Sequence, residues 1–404
     1  MPVTFSDVAA ARERLDDESI VTQTPLEISR SLSEMVDATV YLKMEHLQRT
    51  GSFKTRGAYN KLSQLAKDGT VLEVVAASAG NHAQGVALCA TELGLHATIV
   101  MPEFAPQTKV DATRGYGADV ILHGANFPEA MSYAQSLETE DAVFIHAFDD
   151  PDIIAGQGSL GLEIADEMPS VDTVIVPIGG GGLISGVSVA LAEQLPTTRV
   201  VGVQAASAAT VHESLAKGFP MALDSMRTFA DGIATGGVSE LTLELIETHV
   251  DEVVTVTDAE IATSVLLLLE RAKQLVEGAG AASVAAMFSD QLDVSGETVV
   301  PVLSGGNFSI IELQTVLTHA LSTRSQLVQL RIRIVDNPGQ LHHLSGLIAD
   351  TGANVRTVGH DRAVEDLDVG EAYVTFNVET SGRSHTQSII EAIRSDGYDV
   401  ERSH

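Results

Sequence analysis

The chain has 404 residues, 44% hydrophobic and 20% charged, which is enough for two or three cores in an ordinary globular composition. Its 55 acidic side chains against 24 basic ones give a net charge of −31. Such a surface repels nucleic acid and anionic membranes, which are bound through basic patches, and salt would screen its self-repulsion, so a halophilic source is expected.

The N-terminal stretch Met1–Leu15 carries Asp7, Arg12 and Glu13 and lacks the basic-then-apolar layout of a signal peptide. A cytoplasmic protein is the expectation. From Val71 to about Ala208 short apolar runs alternate with amphipathic segments. Val71–Ala77 reads as a buried strand and His82–Gly94 as a helix. The single cysteine, Cys89, precludes an intramolecular disulfide and a multi-cysteine metal site, and within this helix it reads as a buried structural thiol. Next come a strand at Ala97–Met101, a helix at Pro106–Gly115, a strand at Asp119–Leu122 and a helix at Phe127–Leu137. Then follow the strand Val143–Phe148, a helix near Leu160–Glu167, the strand Val171–Ile178, a helix after the glycines at 179–182, and the strand Val200–Ala205. Repeated β-α units with β-branched strands predict an α/β fold, parallel sheets with helices on both faces. Ligands bind such sheets where strand ends pass into loops.

Asp258–Glu277 reads as one long helix; its apolar run Ile261–Leu269 is far too short to span a bilayer. A strand at Glu297–Leu303 and a helix at Leu313–Thr323 close this part of the chain. Beyond it, strand Leu327–Val335, helix Gln340–Thr351, strands Val355–Arg362 and Glu371–Glu379, helix His385–Asp396 and a short strand Tyr398–Glu401 spell βαββαβ, a separate α+β module.

Four loops carry chemistry. In Thr50–Ala58, Lys54 lies between Phe53 and small residues, where partial desolvation lowers an amine's pKa and makes it a nucleophile or base; the alternative is a solvated surface lysine. Ser78, Ala79, Gly80, Asn81 and His82 follow a strand and open a helix, which suits an anion such as a carboxylate or is simply an N-cap. Gly179, Gly180, Gly181 and Gly182, followed by Leu183, let the main chain approach a phosphate, or form a tight turn. This segment lacks the ending of a P-loop. The dinucleotide spacing does occur at Gly156–Gly161, but not directly after a strand, and is read as coincidental. Ser304–Asn307 again ends a strand.

Taken together these loops resemble the threonine and serine dehydratases of fold type II among pyridoxal-phosphate enzymes. Lys43–Gln48, Gly156–Gly161 and Ala230–Ala234 match as well, and the resemblance covers nearly all of residues 15–322. It implies a two-lobed catalytic domain over 1–322, with a small lobe at about 40–145 inserted in the large one. It implies pyridoxal 5'-phosphate carried on Lys54, with Phe53 near the ring, Asn81 on the phenolic oxygen, Gly179–Leu183 on the phosphate and Ser304 at the pyridine nitrogen. Ser78–His82 would take the substrate carboxylate. The implied reaction is β-elimination of L-threonine, and of L-serine, to 2-oxobutanoate or pyruvate and ammonia. Serine racemases share the fold, but reprotonate the opposite face with a serine where this chain has Ala79. Their divalent-ion loop corresponds to Gln204–Thr210, which has no carboxylate, so no metal is expected there. The same motifs would also suit a 3-hydroxyaspartate dehydratase, or a non-catalytic amino-acid sensor on a decayed scaffold.

Residues 327–404 resemble an ACT domain through Asp336–Leu341 and Gly352–Val355. The resemblance implies a regulatory amino acid, isoleucine first if the chain serves isoleucine biosynthesis, held by Asn337, Pro338, Gly339, Leu341 and Asn354. Pairing without a ligand is the alternative. A homo-oligomer, dimer or tetramer, is expected.

Overall fold

The computed structural model describes residues 3–15, 20–223 and 225–403. The chain divides into two compact units, Met1–Ser309 and Ile310–His404.

The first unit holds two sheets. The larger runs β1 (Leu26–Ile28), β2 (Thr39–Lys43), β10 (Thr298–Pro301), β7 (Thr173–Pro177), β8 (Arg199–Ala205) and β9 (Glu252–Val256). Only the pairing of β1 with β2 is antiparallel; the others are parallel, with Val299 opposite both Val40 and Thr173. The smaller sheet is all parallel, in the order β5 (Asp119–Leu122), β4 (His96–Met101), β3 (Glu73–Ala77) and β6 (Ala142–Phe144). Because β3 to β6 fall between β2 and β7 in the chain, the small lobe is inserted in the large one. The interior strands are buried along their length, as in all five residues of β7, which is why they read as continuous apolar runs.

Helix α7 (Pro151–Glu167) begins nine residues before the expected Leu160. Its start is set by Asp150, whose carboxylate accepts from the N–H groups of Asp152 and Ile153, with Pro151 at the first helical position. The glycines of this helix are buried contact points. A Cβ on Gly156 would lie 2.6 Å from the Gly57 Cα, and one on Gly158 2.8 Å from the Gly186 carbonyl oxygen of α8 (Gly182–Gln194). The dinucleotide-like spacing is therefore a helix-packing surface. The expected helix Asp258–Glu277 is also corrected: α11 (Asp258–Leu267) passes into a π-turn at Leu268–Ala272, and Lys273 takes the left-handed conformation at φ 60°. The chain then starts α12 (Gly278–Met287), whose alanine- and glycine-rich sequence gave no amphipathic signal because every residue of it is buried. The expected strand to Phe148 ends at Phe144.

The second unit has the expected βαββαβ order. After α13 (Ile310–Thr323), β11 (Leu327–Val335), α14 (Gln340–Asp350), β12 (Asn354–Asp361), β13 (Glu371–Glu379), α15 (Arg383–Ser395) and β14 (Asp399–Ser403) form one antiparallel sheet in the order β12-β13-β11-β14. Alternate residues of β11 and β13, such as Leu330, Ile332, Val374 and Phe376, are fully buried against Leu344, Ile348, Ile389 and Ile393 of the helices. Among the described residues no helix is long and apolar enough to cross a membrane.

Candidate active site

Helix α3 (Lys54–Asp68) begins at Lys54. Two loops clasp there: Phe53 N–H donates to the Ser304 carbonyl at 3.1 Å, and Gly306 N–H to the Gly51 carbonyl at 2.9 Å. Gly51, at φ 75°, has no room for a side chain, since a Cβ would sit 2.5 Å from Asn307 Oδ1. The clasp brings the lysine and serine motifs together although about 250 residues of sequence separate them.

Lys54 Nζ donates to the Ala147 carbonyl at 2.9 Å and lies 5.1 Å from the centre of the Phe53 ring. Among the described residues it forms no ion pair, and burial lowers its pKa to about 8. Two residues further along the same helix a charged cluster is buried. Arg56, fully buried, forks onto Glu45 at 2.7 and 2.9 Å and onto Glu163 at 2.6 and 2.9 Å. Lys43 adds a contact of 2.8 Å to Glu163.

Helix α4 (Asn81–Leu93) opens behind the Ser78–Gly80 turn, in which Gly80 N–H donates to the Ser78 hydroxyl at 3.1 Å. Ala79 packs against the small-lobe core. The His82 ring is committed elsewhere: its Nε2 meets the Ile145 carbonyl at 3.0 Å, so this nitrogen carries the proton, and burial with the nearby Lys54 charge lowers its pKa to about 3. Only its backbone N–H remains for an anion.

The four glycines join β7 to α8, whose first-turn N–H groups have no intrahelical acceptor. Gly181 adopts φ 91°, a Cβ on Gly180 would lie 2.3 Å from the Phe148 ring, and one on Gly179 3.1 Å from the Gly232 carbonyl oxygen. Thr242 Oγ1 donates to the Gly180 carbonyl at 2.8 Å and holds the loop from α10 (Glu240–His249). Leu183 and Ser304 are buried. A half-buried amine with no counter-ion among the described residues, held on the Ala147 carbonyl next to the Phe148 ring that Gly180 abuts, fits a group carrying an aldehyde and a phosphate.

Two groups escaped the sequence reading. His146 accepts at Nδ1 from Asp149 N–H at 2.8 Å and Phe148 N–H at 3.3 Å, and burial lowers its pKa, so it is a neutral ring protonated at Nε2. Glu277 accepts from Asn81 Nδ2 at 2.6 Å and from the Asn307 backbone N–H at 3.1 Å. Burial raises its pKa to about 7. An acid directly before a run of glycine, alanine and serine was the available signal, masked by the expectation of one continuous helix.

In the second unit, Asn337–Gly339 form the turn before α14, with Gly339 at φ 96°. Leu341 is exposed, and Asn354 Nδ2 donates to Glu379 at 3.1 Å. Gln204 spends its side chain capping α9 (Val211–Lys217) through the N–H groups of Thr210 and Val211.

Residues 18–305 match the pyridoxal-phosphate dependent enzyme family. The chain is 44% identical over 399 residues to the L-threonine ammonia-lyase of Thermotoga maritima, covering 98% of this chain and 99% of that one. Among solved structures it is similar to the processed threonine deaminase isoform 2 of Solanum lycopersicum, with a TM-score of 0.74, 35% identity, and coverage of 79% and 96%. It is also similar to maize serine racemase, with a TM-score of 0.74, 33% identity, and coverage of 80% and 100%.

Proposed function

The chain belongs to the pyridoxal-phosphate-dependent enzymes of fold type II, and from that premise we propose that it is a threonine ammonia-lyase that converts L-threonine to 2-oxobutanoate and ammonia. The second unit is an ACT-like module. The observation that carries the reading within the structure is Lys54, a half-buried amine with one neutral acceptor and, among the described residues, no counter-ion, at the clasp of the two loops.

Lys54 would carry the cofactor, whose ring supplies an electron sink for charge developing at the substrate Cα. The Gly179–Leu183 segment would hold the phosphate through backbone N–H groups, Ser304 would meet the ring nitrogen, and Phe53 would lie beside the ring. The backbone N–H groups of Ser78–His82 would bind the substrate carboxylate. Lys54 Nζ, its pKa lowered to about 8, takes the proton from Cα in its neutral form. Loss of the β-hydroxyl as water follows, and hydrolysis of the dehydrated product yields the 2-oxo acid and ammonia. Ala79 offers no donor to the opposite face of Cα, which supports elimination over racemisation. L-serine would react likewise to pyruvate.

Residues 1–322 are assigned to catalysis and 327–404 to regulation. An amino acid such as isoleucine would bind at Asn337, Pro338, Gly339, Leu341 and Asn354, in a cytoplasmic dimer or tetramer. Release of 2-oxobutanoate and ammonia from L-threonine, assayed with and without isoleucine, tests both parts. A protein that binds threonine without releasing ammonia would overturn the lyase reading in favour of a sensor.

A further inference from the structure

We propose that Glu277 is a positioning residue that fixes which way the Asn81 amide faces, and thereby presents an Asn81 N–H to the cofactor site. This rests on the cofactor reading above.

The amide orientation follows from an acceptor that has no second role. The Thr50 carbonyl can only accept, so the Asn307 side-chain atom 2.7 Å from it is Nδ2. The same Nδ2 lies 2.7 Å from Asn81, so it meets Oδ1 there. Asn81 Nδ2 therefore faces Glu277 Oε1 at 2.6 Å. A flipped Asn81 would set its oxygen against the carboxylate and its NH2 against that of Asn307. One Asn81 hydrogen is bound by Glu277, and among the described residues the other has no protein acceptor.

Several features are built around this contact. Glu277 stands at the N-cap of α12, yet its side chain makes no capping bond to that helix. The π-turn and left-handed Lys273 break α11 just before it. Gly305 leaves the space it occupies, since a Cβ there would lie 2.3 Å from Glu277 Oε1 and 3.0 Å from Asn81 Nδ2. The backbone is tied as well, with Glu277 N–H donating to the Gly305 carbonyl at 3.0 Å.

Both carboxylate oxygens accept hydrogen bonds, so a proton on Oε1 displaces the Asn81 donor and one on Oε2 the Asn307 N–H. The charged groups bearing on Glu277 are Lys109 of α5 (Gln107–Gly115) and Asp231, which act in opposite senses and pair with each other at 3.1 Å. His46 is the titratable group on the neighbouring segment, bonded to Gln274 at 2.9 Å. Residues 304–307 contribute no charge.

The test is a pH titration of the visible absorbance of bound pyridoxal phosphate in the holoenzyme, together with the cofactor dissociation constant by equilibrium dialysis. It compares wild type, Glu277→Gln and Glu277→Asp. The wild-type band should titrate with a midpoint near 7. Glu277→Asp should keep a displaced midpoint, and Glu277→Gln should be flat through this range. Cofactor affinity in Glu277→Gln should fall about tenfold, the worth of one hydrogen bond, and kcat should fall with little change in KM. A Glu277→Gln protein with the wild-type midpoint and affinity overturns the proposal. If that variant does not fold, an unmoved midpoint in Glu277→Asp does so instead. A wild type without a visible band overturns the cofactor reading and this inference together.

Discussion

Replacing Arg56 with methionine removes the cation at the centre of the buried Glu45 and Glu163 cluster while keeping most of the side-chain volume. Glu163 retains Lys43 at 2.8 Å. Glu45, fully buried, keeps the Thr24 hydroxyl at 2.5 Å, the Gln48 amide at 3.4 Å and the field of the Lys43 ammonium. Breaking a buried pair from one side costs about 3–5 kcal/mol, because the remaining charge is left without its partner. At roughly 2 °C per kcal/mol, the lower end of the scale and suited to a large unit, the catalytic unit should melt about 6–10 °C lower. The pH dependence should change as well. In the wild type, burial pushes the Glu45 carboxyl up, but Arg56 brings it net below its ordinary value of 4.5. A lowered carboxylate supports the fold above its unfolded pKa, and that support is lost as pH falls through the folded value. Without Arg56, burial dominates and the folded pKa rises above the unfolded one. The folded state then binds the extra proton, and stability falls as pH climbs through this window. Calorimetry of the full chain at about pH 5 and 8 measures both effects, with the deficit of the variant larger at the higher pH. A variant melting within about 2 °C of wild type at both pH values would refute the view that Glu45 depends on Arg56.

Lys54→Ala should abolish the visible band and the release of ammonia while leaving far-ultraviolet circular dichroism unchanged; a band that persists would remove Lys54 from its role. In cofactor-free protein, the neutral fraction of Lys54 should rise about tenfold between pH 7 and 9 and then level off, because its pKa is lowered to about 8. The rate of cofactor recombination should follow this curve, whereas a rate climbing about a hundredfold without levelling would indicate an unshifted amine. Gly186→Ala should lower the melting temperature by several degrees, roughly 1–3 kcal/mol of overpacking, because its Cβ would lie 2.2 Å from the Ile154 carbonyl oxygen. Ala79→Ser should introduce measurable D-serine formation from L-serine by chiral chromatography; no D-isomer would show that residue 79 does not limit the reaction.

Much of the molecule was legible in one dimension. The β-α alternation, the βαββαβ module and the four loops depend on local composition and spacing, and each of these can be read without knowing what packs against it. The joint order of Ser52–Ala58, Ser78–His82, Gly179–Leu183 and Ser304–Asn307 was enough to identify the family. Local patterns failed where neighbours decide. The glycines of α7 and α12 suppress helical amphipathicity, yet they are present because other helices and loops press within contact distance of their backbones. Lys54 could be suspected from its flanking residues, but its setting depends on the Ala147 carbonyl and on the clasp of two loops about 250 residues apart in sequence. Glu277 is the last residue of the expected helix Asp258–Glu277. The break at Lys273 and the space left by Gly305 let it accept from Asn81 and Asn307, where burial raises its pKa to about 7. The sequence determined which chemical groups the protein has, because covalent order and local propensity do not depend on distant contacts. The tertiary structure decided which groups are desolvated and which are paired, since burial and hydrogen-bond partners are properties of neighbours in space.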